Sequence, residues 1–316
     1  MDLSIRELGE NIKKLQNFKG KVLFQESMAF HTTMKTGGRA ELFVMPEDIS
    51  SCSTLLKMCI ENNIRVFVIG GGSNVVACDE DMNFVILSTE KFDFINLTSS
   101  GTLKIGAGTK ISELMLYCEE NTITGFEKFS GLPGTVGGAA FMNARCYEED
   151  FGTFIKSVSY IDFNSCSEVK TYFKKDGDWD YKVSPFQKKN AVIVQVELNG
   201  FVHLEKSESA VKTVSEQNDF YLKDRIAKGH FKAPSAGSVF RNNHDFGKPS
   251  GVLIDEAGLK GTSCGDAQIA SWHGNFIINN GNAKSSEIES LVKLAQNTVK
   301  EKTGFNLVPE IIFLKN

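Results

Sequence analysis

Residues 130–144 read SGLPGTVGGAAFMNA, with four glycines, one proline and no charged side chain. Backbone stripped of side chains this densely either turns where other residues cannot or lets something touch its amide groups. A second uncharged run, GGGSN at Gly70–Asn74, follows the apolar segment IRVFVI. Successive main-chain N–H groups form concave cradles for anions, phosphates above all. Two cradles on one chain suit a diphosphate held from two sides; two tight turns are the plainer alternative. Neither run is a P-loop, because no Lys-Ser or Lys-Thr follows its last glycine. Neither is a dinucleotide fingerprint. GGGSNV and GAGTKI lack the third glycine, and the residues after Asn74 read as turn and strand rather than helix.

The chain has 316 residues, enough for two or three domains. Its net charge of −4 is spread over interspersed acids and bases, which favours neither a nucleic-acid nor a membrane partner. The N-terminus, MDLSIRELGENIKKLQNFKG, lacks the basic-then-apolar build of a signal peptide, so a cytoplasmic location is expected. Seven scattered cysteines without a CxxC pair read as reduced thiols. Five histidines without ligand-like spacing argue against a metal site.

Periodicity places the glycine runs among regular elements. ELFVMP, EDISSCSTLLKMCIENN and IRVFVIGGG form a strand, a helix and a strand, with Cys52, Leu55, Leu56, Cys59 and Ile60 on one helical face. FVILS and GTLKIGAG are further strands, and TKISELMLYCEENT is a helix. FIKSVSYIDF, SEVKTYF and AVIVQVELNGF read as an antiparallel sheet. SESAVKTVSEQNDFYLKDRIAK is a long polar helix or linker near a domain boundary. GVLIDEAG reads as a helix and NFIINNGNA as strand and turn. In SSEIESLVKLAQNTVKEKTG, Ser286 and Glu289 have capping-box spacing, an apolar face runs from Ile288 to Val299, and Gly304 is a stop. LVPEIIFL is expected to close the chain as a strand.

Eight segments, in order, resemble the UDP-N-acetylenolpyruvoylglucosamine reductase family. They are HTTMKTGGRAELF, IGGGSNVVACDED, FEKFSGLPGTVGGAAFMNA, DWDYKVSPF, RIAKGHFKAPSAGSVFRN, GVLIDEAGLKG, HGNFIINNGNA and LVPEI. The resemblance implies an α+β chain: a vanillyl-alcohol-oxidase-like (PCMH-type) two-lobed FAD-binding fold plus a C-terminal α+β substrate domain. It implies lobes at 1–88 with 309–316 and at 89–220, and a substrate domain at 221–308. It implies non-covalent FAD, NADPH as co-substrate, a UDP-sugar substrate and a monomer. Gly70, Gly71, Gly72, Ser73 and Asn74 would hold FAD on one side. Gly131, Pro133, Gly134, Thr135, Gly137, Gly138, Asn143 and Ala144 would hold it on the other. No His or Cys stands inside GGGSN for covalent attachment, although Cys78 is near.

By the same resemblance, Ser238 in SAGSVF is the proton donor, flanked by the small residues Ala236 and Gly237; by itself it reads better as a turn serine. Glu310, just after Pro309, matches a catalytic glutamate, and partial desolvation there is expected to raise its pKa. The family's catalytic arginine falls at Lys182 in Tyr181-Lys182-Val183-Ser184, where a point charge replaces a planar fork. A guanidinium appears instead at Arg145, where glycine is usual, and either supplies the missing charge or is a surface loop residue. Lys228 and Asn242 match positions holding the UDP diphosphate, with Arg225 and Arg241 nearby. Tyr147 and Tyr181 are candidates to pack on sugar or flavin. The chain resembles the shorter branch, without an extra tyrosine-bearing loop. A flavin oxidase on the same scaffold and a non-catalytic FAD-binding paralogue remain as alternatives.

Overall fold

A computed structural model describes residues 3–166 and 168–316. The chain folds into two compact units. The first takes in 1–25, 41–71 and 84–223, and the second takes in 26–40, 72–83 and 224–316.

The first unit opens with helix α1, Ile5–Lys14. Ser4 and Glu7 form a reciprocal capping box, and Leu8 and Ile12 are buried one turn apart. A four-stranded sheet, mostly in this unit, has the order Gly20–Ser27, Arg39–Pro46, Met82–Ser88, Val66–Ile69. Helix α2, Ile49–Glu61, links two of these strands, but Met82–Ser88 lies between them and runs parallel to Val66–Ile69. Asp48 Oδ1 caps α2 by accepting the Ser51 N–H at 2.8 Å. Cys52, Leu55, Leu56 and Cys59 are buried, whereas Ile60 is 42% exposed. The reason is angular: Ile60 stands about 100° around the helix from Cys59, beyond the edge of the apolar stripe. Burial pushes the Cys52 and Cys59 thiols up to about 12, which leaves them unreactive.

The second sheet of this unit is antiparallel throughout, as the alternating segments required. Its order is Val169–Phe173, Ile155–Asp162, Ala191–Leu198, Leu103–Gly106, Ile95–Leu97. Helix α3, Ile111–Glu120, buries Ile111, Leu114, Met115 and Cys118 in the same core as Phe126, Phe129, Phe151 and Phe154.

The glycine-rich stretch holds a short helix that its composition conceals: α4, Val136–Met142. Thr135 caps it, accepting the Gly138 N–H at 3.3 Å. Gly137 is needed for packing, because a Cβ there would lie 2.7 Å from Ala107 Cβ. The helix ends at Asn143, left-handed at φ 44°. Helix α5, Glu208–Ala227, carries the chain from the first unit into the second.

In the second unit an antiparallel sheet has the order Ser235–Ser238, Phe276–Asn279, Ala267–Ile269, Ser263–Cys264. Helices α6, Ser250–Glu256, and α7, Ser285–Thr303, contribute to one core, in which α7 buries Ile288, Leu291, Val292, Ala295 and Val299. The expected Ser286–Glu289 capping box does not form. The helix starts two residues earlier, after Lys284, and Asp79 accepts the N–H groups of Ser285 and Ser286 at 2.6 and 3.1 Å. Glu289 pairs instead with Lys293 and Lys315. Gly304 stops α7 at φ 78°. The closing strand is shorter than LVPEIIFL: only Ile312–Leu314 is extended, pairing parallel with Val75–Ala77.

Candidate active site

The two glycine runs are not simply two ligand cradles. In the first unit, Gly70 and Gly71 lie against the second run: a Cβ on Gly70 would meet Thr135 Oγ1 at 2.6 Å, and one on Gly71 would meet Gly134 Cα at 2.7 Å. Part of the glycine bias therefore lets one loop seat on the other. Gly131 and Gly134 also hold positive φ, 75° and 106°. Pro133 is exposed beside them, and Ala144 anchors the loop's end, donating to Ala139 O at 2.9 Å. Among the described residues, the N–H groups of Gly71, Gly131 and Gly134 donate to no protein acceptor. An uncharged ledge with open amide donors fits a flavin dinucleotide.

Asn143, expected at the cofactor, is fully buried and works as a brace. Its Nδ2 donates to Asp180 O at 2.6 Å, and its Oδ1 accepts the Gly152 N–H at 2.8 Å. Trp179 Nε1 donates to Ala140 O at 3.0 Å, and Ser184 Oγ to Phe141 O at 2.6 Å. The segment carrying Tyr181 and Lys182 is thus strapped to the last turn of α4. Lys182 itself sits at φ 57°, and its carbonyl accepts Gln187 Nε2 at 3.1 Å. Arg145 does not point into bulk solvent. Its Nη1 lies 2.6 Å from Asp150 Oδ2, and its guanidinium carbon lies 5.6 Å from the Tyr181 ring centroid. Tyr147 packs on Tyr221, ring centroids 4.8 Å apart.

The second unit gathers the rest of GGGSN with two of the three expected catalytic residues, Ser238 and Glu310; the third, Lys182, belongs to the first unit. Gly72 turns at φ 61°, and a Cβ there would strike the His31 carbonyl, so no other residue fits. The Gly72 and Ser73 N–H groups donate to no protein acceptor among the described residues. Asn74 Nδ2 donates to Glu310 O at 3.0 Å, and the Ile312 N–H returns to Asn74 O at 2.9 Å. The Glu310 N–H donates to Val239 O at 2.7 Å, one residue from Ser238. Ser238 and half-buried Glu310 therefore belong to adjoining strands of backbone.

Ser238 is exposed, and its hydroxyl has no protein partner among the described residues. A bulge explains its exposure. Ser235 pairs with Ile278 and Ser238 with Phe276, so two residues on one strand face a single residue on the other; Gly237 takes φ 74° within the bulge. Thr33, which the sequence reading left without a role, bridges two parts of this site. Its N–H donates to Gly72 O at 3.2 Å and its Oγ1 to Ser235 O at 2.7 Å. Nothing local in the sequence marks it, because its acceptor lies 202 positions away.

The expected diphosphate residues also fall in the second unit. Lys228 pairs with Asp224 at 2.6 Å, and Arg225 is buried. Asn242 Oδ1 accepts the Ser250 N–H at 2.9 Å and so holds the start of α6. Arg241 Nε is buried without a partner among the described residues. His230 is held neutral: burial, helped by the charges of Arg225, His273 and Lys228, lowers its pKa to about 4.

Glycine loops with open amides and a short helix among them describe a flavoprotein, and residues 40–164 match the FAD binding domain family. Residues 229–314 match the C-terminal domain of UDP-N-acetylenolpyruvoylglucosamine reductase. The chain is 42% identical to the UDP-N-acetylenolpyruvoylglucosamine reductase of Treponema denticola over 93% of this chain and 94% of that one. It is 38% identical to that of Borreliella burgdorferi over 96% and 98%. The crystal structure of the Thermus caldophilus reductase (MurB) superposes with a TM-score of 0.75 at 25% identity, covering 94% of this chain and all of that one. The chain belongs to the UDP-N-acetylenolpyruvoylglucosamine reductase family.

Proposed function

We infer that this chain reduces the enolpyruvyl ether of a UDP-N-acetylglucosamine derivative to the lactyl ether of UDP-N-acetylmuramate, a step of peptidoglycan precursor synthesis. FAD, when bound, carries a hydride equivalent from NADPH to the CH₂ carbon of the substrate double bond. The observation that carries the reading is the Ser238 bulge, whose neighbour Val239 is hydrogen-bonded to Glu310. Hydride addition leaves an electron pair on the carbon that bears the carboxylate, and that carbon needs a proton. Ser238 donates it, its hydroxyl presented by the bulge with no competing partner among the described residues. A serine hydroxyl is a weak acid, so a neighbouring group must steady the alkoxide or relay a proton to it. Glu310, on the adjoining backbone, takes that role.

The open amides of Gly71, Gly72, Ser73, Gly131 and Gly134 hold the dinucleotide, while Gly137 and Gly138, whose N–H groups are taken by Ala107 O and Thr135 Oγ1, shape the second loop together with Thr135 and Asn143. No residue within GGGSN can form a flavin bond, and the Cys78 thiol is buried and donates to Glu80 O at 3.5 Å, so attachment is non-covalent. Lys228, Arg225 and Asn242 receive the diphosphate, aided by Arg241 Nε. Tyr147 and Tyr181 border the sugar or flavin. The lobes follow the division 1–88 with 309–316, 89–220 and 221–308. No helix of the described residues is long and apolar enough to cross a membrane. We further propose a cytoplasmic monomer; its net charge of −4, spread over interspersed acids and bases, favours no nucleic-acid partner.

The test is anaerobic. NADPH should bleach the flavin absorption of the holoprotein, and the enolpyruvyl UDP-sugar should restore it with one product formed per flavin. Colour that only oxygen restores would replace this reading with an oxidase, and a protein that binds FAD but is never bleached would replace it with a non-catalytic paralogue.

A further inference from the structure

Eight non-glycine residues among those described have left-handed φ, and four of them crowd two short segments of the first unit: Asn143, Tyr147, Glu148 and Lys182. Tyr147 and Glu148, at 49° and 68°, form the loop of a hairpin pairing Arg145–Cys146 with Glu149–Asp150. A two-residue loop with both φ positive normally takes Asn-Gly or Asp-Gly. Strain of this kind persists only where the surroundings over-determine it, and it concentrates at functional sites. The restraints are visible here. Tyr147 Oη donates to Tyr221 O at 3.3 Å, and Glu149 pairs with Lys128 at 3.1 Å. Asn143 ties the hairpin's approach to the Lys182 turn.

What the strained frame holds still is the Arg145 guanidinium. Register sets Asp150 directly opposite, and the pair closes at 2.6 Å while the Tyr181 ring lies beside it. The side chain keeps 27% of its surface exposed. Asp150 engages one corner of a five-donor fork, and the Arg145 side chain forms no other hydrogen bond among the described residues.

We propose that Arg145 is the cation that receives the substrate's carboxylate and steadies the charge that builds on it during reduction. The proposal rests on the reductase reading above. When hydride reaches the CH₂ carbon, the C=C electron pair moves toward the carboxylate and spreads over its two oxygens as an enolate. A planar fork can meet both oxygens; a lysine ammonium meets them as a point charge. Asp150 fixes the fork beforehand, so little reorganisation is left for the moment of reaction. With substrate in place two anions, Asp150 and the carboxylate, stand against Arg145 and the Lys182 of the neighbouring turn.

The test compares Arg145→Gln, Arg145→Lys, Lys182→Met and the double variant Arg145→Gln/Asp150→Asn as holoproteins. Three readouts are taken: bleaching by NADPH, recolouring by the enolpyruvyl UDP-sugar, and equilibrium binding of UDP-N-acetylmuramate against UDP-N-acetylglucosamine, which lacks the carboxylate. Arg145→Gln is expected to slow recolouring by about 10²–10³-fold, the usual effect of removing one preorganised donor. It should also abolish the preference for the carboxylated ligand and leave bleaching unchanged. The double variant should behave alike, which shows that an unpaired Asp150 is not the cause. Arg145→Lys should recover part of the loss, and Lys182→Met should lose less than Arg145→Gln. Recolouring within about threefold of the parent in Arg145→Gln, with ligand preference intact, would overturn the proposal. So would loss of FAD from both Gln variants, which would make the pair purely structural. A parent protein that bleaches but never recolours would instead remove the reductase reading.

Discussion

Replacing Gly237 with alanine sets two energies against each other. At φ 74° any residue with a Cβ carries a penalty of about 1–2 kcal/mol. No steric term adds to it, because a Cβ there has nothing within 4 Å. The strand could escape by returning to negative φ, which would straighten the bulge and shift the register by one. That would turn Ser238 to the other face of the sheet. It would also break the Val239 N–H to Asn275 O bond of 2.9 Å and the Phe240 N–H to Asn275 Oδ1 bond of 2.9 Å. The Asn275 Nδ2 to Phe240 O bond of 2.8 Å and the Glu310 N–H to Val239 O bond of 2.7 Å would go as well. At about 1 kcal/mol net for each bond, straightening costs roughly 4 kcal/mol, about two to four times the penalty it relieves. The bulge should therefore survive. Gly237→Ala is expected to unfold about 1–2 kcal/mol more easily, at about 2–4 °C of Tm per kcal/mol, while the recolouring rate stays within about threefold. Differential scanning fluorimetry and single-turnover kinetics check both. A variant of unchanged Tm whose recolouring falls about a hundredfold would show that the register had slipped and that the hydrogen-bond argument is wrong.

Asp79→Ala leaves the first N–H groups of α7 without their acceptor and should cost about 1–2 kcal/mol, read as faster amide exchange at Ser285 and Ser286; protection equal to the parent would show that Asp79 is dispensable. For Asp79 itself, desolvation would raise the pKa, but the bonds from Ser286 and Ser285 outweigh it and lower it. Its contribution is therefore present above the unfolded carboxylate value and is lost as pH falls through the lower folded one. His230, held near 4, binds its proton more weakly folded than unfolded, so stability should fall as pH drops from about 6.5 toward 4; an NMR titration placing His230 at or above 6.5 would contradict this. Asn143→Ala should lower stability by about 2–3 kcal/mol and weaken FAD binding together, since the buried Gly152 N–H loses its acceptor; full flavin affinity in a folded variant would separate the brace from the cofactor loop.

Periodicity made the helices legible where their partners are their own neighbours. The apolar faces of α2 and α7 follow from 3.6-residue spacing, and the antiparallel sheet from alternation. Two misreadings share one cause, a partner remote in sequence. The start of α7 was misplaced because its capping carboxylate, Asp79, lies more than two hundred positions upstream. Helix α4 was hidden because Gly137 lowers helix propensity, yet its missing Cβ is what lets the helix sit on Ala107. At the site, Ser238 and Glu310 could be singled out by residue type and motif, but the bulge that exposes one and the Asn74 bond that holds the other could not.

In the second unit, four separated stretches of chain are joined at the site, and the bonds that join them end on main-chain carbonyls. Thr33 binds Gly72 O and Ser235 O, Asn74 binds Glu310 O, and Glu310 binds Val239 O. A carbonyl acceptor is the same whatever side chain stands beside it. The frame therefore fixes where residues 235–239 and 310 lie without engaging the Ser238 hydroxyl. A site built this way separates two sequence requirements: positions 33 and 74 must offer a donor of the right reach, while position 238 is left to be chosen by the chemistry alone. That separation is why Ser238 could be singled out only by its resemblance to the family motif, and the donors that place it not at all.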